Sequence, residues 1–293
     1  MPDLNPPRLS AAVAAVAAIL MWTQAWSLPP VWTVHGSRGE IVLFGSVHML
    51  PDGLDWKPAA LQRALAQADT LWFEVTLGDA TDQAVMRASL SRGRLGPGRT
   101  LWDLLTPRQR ADVDDAAKSL ELPAADLAHM QPWMADLTLS LAADARAGAR
   151  TALGVEAQVQ NAAPATARRM ALETVDQQIA ILTGGGAAEQ AASLDQTSLE
   201  ITKDPDIYTR MVREWTTGDV AALHHEVADS LLAVAPGAYA RMISNRNQRW
   251  ARTLTRLARK PGRNVVIVGI GHLVGPDGVP ALLRAQGLTV EGP

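Results

Sequence analysis

Ile41-Val42-Leu43-Phe44-Gly45-Ser46-Val47-His48-Met49-Leu50-Pro51-Asp52-Gly53 stands near the N-terminus, and Val265-Val266-Ile267-Val268-Gly269-Ile270-Gly271-His272-Leu273-Val274-Gly275-Pro276-Asp277-Gly278 near the C-terminus. Each stretch is four apolar residues, then Gly-x-x-His, two more apolar residues and Pro-Asp-Gly; the second has one extra glycine. Such a pattern reads as a buried strand that ends in a sharp turn and carries a histidine at its tip. The carboxyl end of a parallel strand is where open α/β sheets gather their ligands. Two copies set two imidazoles across one cleft, provided the opening and closing parts of the chain fold together.

Working outward, Val31 to Val34 and Ile41 to Phe44 read as a hairpin joined by the polar turn His35-Gly36-Ser37-Arg38-Gly39-Glu40. Pro58 opens a helix through Asp69, and Leu71-Trp72-Phe73-Glu74-Val75 is a strand ending in an acid. Strand, helix and strand in this order predict a βαβ unit. The middle of the chain reads as helical. Thr106-Pro107 is a helix start, and Pro132 to Gly148 a helix closed by glycine. Gly184-Gly185-Gly186 reads as a connector, since the Lys-Ser/Thr of a phosphate loop is missing. Arg241 to Lys260 is a basic helix whose charges form a solvated face over Met242, Trp250, Leu254 and Leu257. Val279 to Gln286 makes a last helix and Leu288-Thr289-Val290 a closing strand. The expected fold class is α/β, with a mixed, partly parallel central sheet flanked by helices. A large helical insertion separates the N- and C-terminal strand motifs.

The 293 residues include 47% hydrophobic and 19% charged side chains, enough for a substantial core. A net charge of −3 without any basic block speaks against a nucleic-acid partner. The absence of cysteine excludes disulfides, thiolate metal sites and cysteine nucleophiles. Residues 1–27 read as an export signal: Arg8, the apolar run Ala11 to Trp22, then Ala25-Trp26-Ser27 as the cleavage site. The run is too short to span a bilayer comfortably, and no other stretch is long enough. Residues 28–293 are then one domain in a periplasmic or secreted setting.

His48 and His272 are the first candidates for chemistry, since imidazole serves as metal ligand and as general base. Glu74, at the end of the next strand, is a candidate metal ligand, imidazole orienter or base. Glu156, after Leu153-Gly154-Val155, reads as another strand-end acid. Glu173 precedes a helix that Thr174 caps and that carries Gln178, a purely local role. Arg246 and Asn247 sit mid-helix, where Asn is a poor helix former, so both point to side-chain roles; Arg246 suits an acidic substrate group or an active-site carboxylate. His224-His225-Glu226 lacks the His-Glu-x-x-His spacing and reads as solvated surface, like His35 and His129. No Gly-x-Ser-x-Gly elbow is present.

The chain resembles the TraB/GumN proteins. The matching residues are Val31-Trp32-Thr33-Val34 through Gly45-Ser46-Val47-His48-Met49-Leu50-Pro51, Trp72-Phe73-Glu74-Val75, Leu172-Glu173-Thr174 with Gln178, Trp215-Thr216-Thr217-Gly218-Asp219, Arg246-Asn247-Gln248-Arg249-Trp250-Ala251 and the second histidine motif. Ser46 stands where that family more often has threonine. The resemblance implies membership of the wider TIKI/TraB group, similar to erythromycin-esterase-like and ChaN-like proteins, some of whose animal members are described as manganese- or cobalt-dependent proteases. It implies a site of His48, Glu74 and His272 with Arg246 in support.

Three functions are compatible with these residues. The first is a peptidase-like hydrolase in which His48, Glu74 and His272 hold a divalent manganese, cobalt or zinc ion. The second is a metal-free, esterase-like hydrolase with a histidine base. The third is a non-catalytic envelope binding protein. The expected partner is a peptide or small envelope substrate, and no organic cofactor is indicated.

Overall fold

The computed structural model describes residues 28–293, so the export-signal reading of residues 1–27 lies outside the described residues. One six-stranded sheet organises the chain: β1 (Val31–His35), β2 (Gly39–Ser46), β3 (Thr70–Phe73), β4 (Arg168–Ala171), β5 (Gly262–Gly269) and β6 (Thr289–Glu291), in the order β4-β3-β5-β2-β1-β6. β2, β5, β3 and β4 run parallel, while β1 and β6 are antiparallel additions at one edge. The fold is thus the expected mixed α/β sheet flanked by helices.

The two histidine strands are direct neighbours. β2 and β5 pair over eight positions, from Gly39 with Gly262 to Ser46 with Gly269. β5 is an almost unbroken apolar run with five consecutive buried residues, Asn264 to Val268 aside from its polar first member. Such a strand is stable only with partners on both sides and cover on both faces. It therefore inserts between β2 and β3. The βαβ unit exists, with α1 (Ala59–Ala66) as its crossover, but its strands are not adjacent as expected. His272 consequently stands between the strand that leads to His48 and the strand that leads to Glu74.

The helical insertion contains α2 (Asp79–Arg92), α3 (Pro107–Ser119), α4 (Pro132–Arg146), α5 (Val155–Ala162), α6 (Val175–Leu182), α7 (Ala187–Lys203) and α8 (Ile207–Thr217), of which α3, α4 and α7 pack together around a second apolar core that includes Val113, Leu139 and Leu194. Thr106 caps α3 by accepting from the Gln109 N–H, as its sequence predicts. Gly184 to Gly186 connects α6 to α7. The expected basic helix begins with a π-helical turn, Ala240–Ser244, before α9 (Asn245–Leu257); α10 (Val279–Ala285) follows β5.

Aromatic side chains fix the turn after β2. Phe44 stacks on Trp56 with ring centroids 5.6 Å apart, and Trp56 lies 5.4 Å from Trp215. Trp215 donates from its indole nitrogen to the Gly45 carbonyl (3.0 Å), and the Tyr208 hydroxyl donates to the Met49 carbonyl (3.0 Å). These residues are buried in the main core. Burying each large apolar side chain contributes about 1.5–3 kcal/mol, so the loop that carries His48 is clamped from a remote part of the chain.

Candidate functional site

Three side chains from the ends of three adjacent parallel strands meet at one point. A Cβ added at Gly269 would lie 3.4 Å from Glu74 Oε1, 3.7 Å from His272 Cδ2 and 4.0 Å from His48 Nε2. Glycine at this position leaves that space open. The opening and closing parts of the chain thus share a pocket, with His48 at its mouth and Glu74 and His272 deeper in.

The deep part is a charge network centred on Arg246, at the start of α9. Its Nη2 donates to Glu74 Oε2 (2.6 Å), its Nε to both Glu173 oxygens (3.0 and 3.1 Å), and its Nη1 to the Met242 carbonyl (3.2 Å) and His272 Nε2 (3.0 Å). Glu173 lies beside Glu74 because β4 continues its pairing with β3: the Glu173 N–H donates to the Glu74 carbonyl at 2.8 Å. Two nearly buried carboxylates are thereby balanced by one guanidinium, with Arg249 adding a 3.1 Å contact to Glu173. Arg246 is paired with the Glu74 carboxylate, one of the partners its sequence position suggested. Glu173 is not a local residue but one of its two main partners. Trp250 closes the network, with Arg246 Cζ 4.7 Å and the His272 ring 4.5 Å from its centroid.

Asn247 sets the state of His272. Its Nδ2 donates to the Asp277 carbonyl (2.8 Å), which leaves Oδ1 facing His272 Nδ1 at 2.6 Å. Oδ1 only accepts, so the proton sits on Nδ1 and Nε2 accepts from Arg246. Burial is the main force on this ring, aided by the Arg246 and His48 charges; against the pull of Glu74 its pKa falls to about 3. His272 is therefore neutral at pH 7. Burial works against the Glu74 charge too, but the Arg246 and His48 charges oppose it and hold that carboxyl below the ordinary carboxylate range. Glu74 is further tied down by the Gly269 N–H (2.8 Å) and by Gln178 (3.3 Å).

His48 is held differently. Its Nδ1 lies 2.7 Å from Glu156 Oε1, and its side chain is 70% exposed against 19% for Glu156. The Glu156 carboxylate, by charge and hydrogen bond, lifts the His48 pKa to about 9 against desolvation. Desolvation would raise Glu156, but the His48 charge and hydrogen bond prevail and keep it below the ordinary carboxylate range. Glu156 is not the strand-end acid expected from sequence. It sits in the first turn of α5, two residues after Gly154. A Cβ at Gly154 would overlap the His48 carbonyl, so glycine there lets the start of α5 press against the His48 backbone and deliver Glu156 to the ring. The Leu-Gly-Val-Glu stretch was visible in sequence, but its partner was not.

Around these groups lies a cleft of about 540 Å³, whose walls include His48, Glu74, Glu156 and Gln178 with the apolar Phe73 and Ile267. His35 and His129 are exposed, as expected. His224 is not plain surface: it is 23% exposed and packs against Gly275.

The donor set does not fit a divalent ion bound by His48, Glu74 and His272. The lone pair of His272 Nε2 and one Glu74 oxygen are both engaged by a buried guanidinium, and a dication would sit against that fixed positive charge. Ligands of one metal also need to converge at about 2.0–2.2 Å. Among the described residues no group of three or more His, Asp or Glu is arranged in that way.

The family model described as the TraB/PrgY/gumN family matches residues 30–292. No curated protein and no solved structure matches the chain.

Proposed function

The chain belongs to the TraB/PrgY/gumN family, and we propose that it is a metal-independent hydrolase acting on a peptide or another small acyl substrate of the cell envelope. The observation that supports this most is the His48–Glu156 pair at 2.7 Å on the wall of the cleft. His48 presents Nε2 toward the point where Glu74 and His272 converge, while Nδ1 donates to Glu156.

In this reading a water molecule near Gly269 attacks the substrate carbonyl. His48 Nε2 takes the proton of that water, Glu156 stabilises the imidazolium, and the imidazolium then returns the proton to the leaving group. One acyl bond breaks, one acyl–oxygen bond forms, and the proton balance closes. Glu74 is not the base, because a carboxylate bonded to Arg246 and the Gly269 N–H, and held below the ordinary carboxylate range, is a weak proton acceptor. It supplies a fixed negative charge beside the attacking water. With a pKa of about 9, His48 is mostly charged in the free protein at pH 7; only about 1% is in the basic form, so turnover increases with pH.

Hydrolysis of a panel of peptides and esters by the purified protein tests this reading. Turnover should survive exhaustive chelation and fall by about 10²–10⁴-fold in His48→Ala. Loss of activity on chelation with recovery on adding a divalent metal would return the metal-dependent reading. Capture of a ligand with no turnover across the panel would favour a binding protein instead.

The export setting rests on Arg8, the apolar run and Ala25-Trp26-Ser27. Protein recovered from a bacterial periplasm should begin near Leu28. Recovery only in the cytosol with Met1 intact would remove the export proposal.

A further inference from the structure

The cleft carries one charge that this chemistry does not use. Its charged walls are His48, Glu74, Asp82 and Glu156, with neither lysine nor arginine among the described residues that line it. Glu74 is balanced from behind by Arg246 and Glu156 by His48. Asp82, in the early turns of α2, is exposed; its N–H bonds to the Gly78 carbonyl, but its carboxylate has no hydrogen-bond or ion-pair partner among the described residues. The same cleft has apolar lining from Leu77, Val75 and Phe73 beside the polar Thr151, Gln160 and Gln178. A lone carboxylate at the rim of a partly apolar cleft attracts a cation on an apolar stem and repels anions.

We propose that Asp82 is a specificity-determining residue that favours substrates carrying a positive charge, an amine or a lysine or arginine side chain, close to the bond cleaved. This rests on the hydrolase reading for its catalytic part and on the cleft alone for its binding part. An ammonium on a four-carbon stem suits this wall, since its methylenes lie along Leu77 and Val75 while its charge reaches Asp82.

The test is a series of matched short peptides with lysine, norleucine or glutamate at one position. Cleavage of the lysine peptide by the parent should exceed that of the norleucine peptide by about 2–5-fold in kcat/KM at low salt, with the glutamate peptide poorest. The advantage should shrink at about 0.5 M salt, where screening is short-ranged. Asp82→Asn should erase the lysine preference while the norleucine peptide is cleaved as by the parent, and Asp82→Lys should favour glutamate. An unchanged lysine preference in Asp82→Asn overturns the proposal, and leaves Asp82 as a helix-start acid that complements the helix dipole. Should no peptide be cleaved at all, the hydrolase reading fails by itself. Equilibrium binding of the same three peptides to parent and Asp82→Asn then decides the charge selectivity, and equal affinities for all three refute it.

Discussion

Gly269→Ala separates the chemistry of this site from its stability. The backbone at Gly269 has φ −49° and ψ 138°, a conformation open to any residue. The added methyl would meet Glu74 Oε1 at 3.4 Å, His272 Cδ2 at 3.7 Å and His48 Nε2 at 4.0 Å, all ordinary contacts. The Gly269 N–H to Glu74 bond at 2.8 Å is retained. Folding should therefore gain about 0.4–1 kcal/mol from the reduced freedom of the unfolded chain, a rise in Tm of about 1–4 °C for a domain of this size. The methyl nevertheless fills the place assigned to the attacking water. A displacement of about 1 Å at a reacting centre costs on the order of 10²-fold, so kcat/KM should fall by at least about that factor. Calorimetry and steady-state kinetics on the same preparation read both quantities. Parental kcat/KM with a raised Tm would show that the water reacts elsewhere, and a sharp drop in Tm would show that the space at Gly269 was misjudged.

The remaining predictions concern the charges. Arg246→Met leaves Glu74 buried without its cation and Glu173 with Arg249 alone; this should cost about 3–5 kcal/mol, measured by denaturant unfolding, and a loss below about 1 kcal/mol would refute the role of the network. In Glu156→Gln the ascending limb of the pH–rate profile should move from about 9 toward about 6.5 with a lower plateau; an unmoved limb would mean that His48 is not the titrating base. The same pairing stabilises the fold fully below about pH 6.5 for as long as Glu156 stays ionised, and is lost as pH rises through about 9. His48 is 70% exposed, so solvent screening limits this to about 1 kcal/mol or less, seen as a smaller difference in stability between parent and Glu156→Gln at high pH than at pH 6. Asn247→Leu removes the acceptor for His272 Nδ1–H while Arg246 still donates to Nε2, so the proton stays on Nδ1 without a partner at a cost of about 1–3 kcal/mol, measured by denaturant unfolding; parental stability would refute the bond.

Several elements are legible one at a time because their cause is local. Thr106-Pro107 caps a helix within four residues, and the apolar run before each Gly-x-x-His reads as a strand from its length, its β-branched residues and the glycine that ends it. β4 escaped detection because Arg168-Arg169-Met170-Ala171 has no apolar run; it is an edge strand with two exposed positions. Glu173 escaped for the same reason, since its position depends on β4. Asn247 announced itself by being an unfavourable mid-helix residue, but not what it holds.

The amino-acid sequence by itself determined the chemistry available: two imidazoles on matched strand ends, several carboxylates, an arginine beside a mid-helix asparagine and no thiol. Only the tertiary structure decided which acid serves which base. β5 enters between β2 and β3 because an apolar strand needs a hydrogen-bonded partner on each side, and this places His272 against Glu74 and Arg246. His48 is left to Glu156, 108 residues away. A pairing over that distance is set by how sheet and helices pack together, and no local spacing along the chain records it.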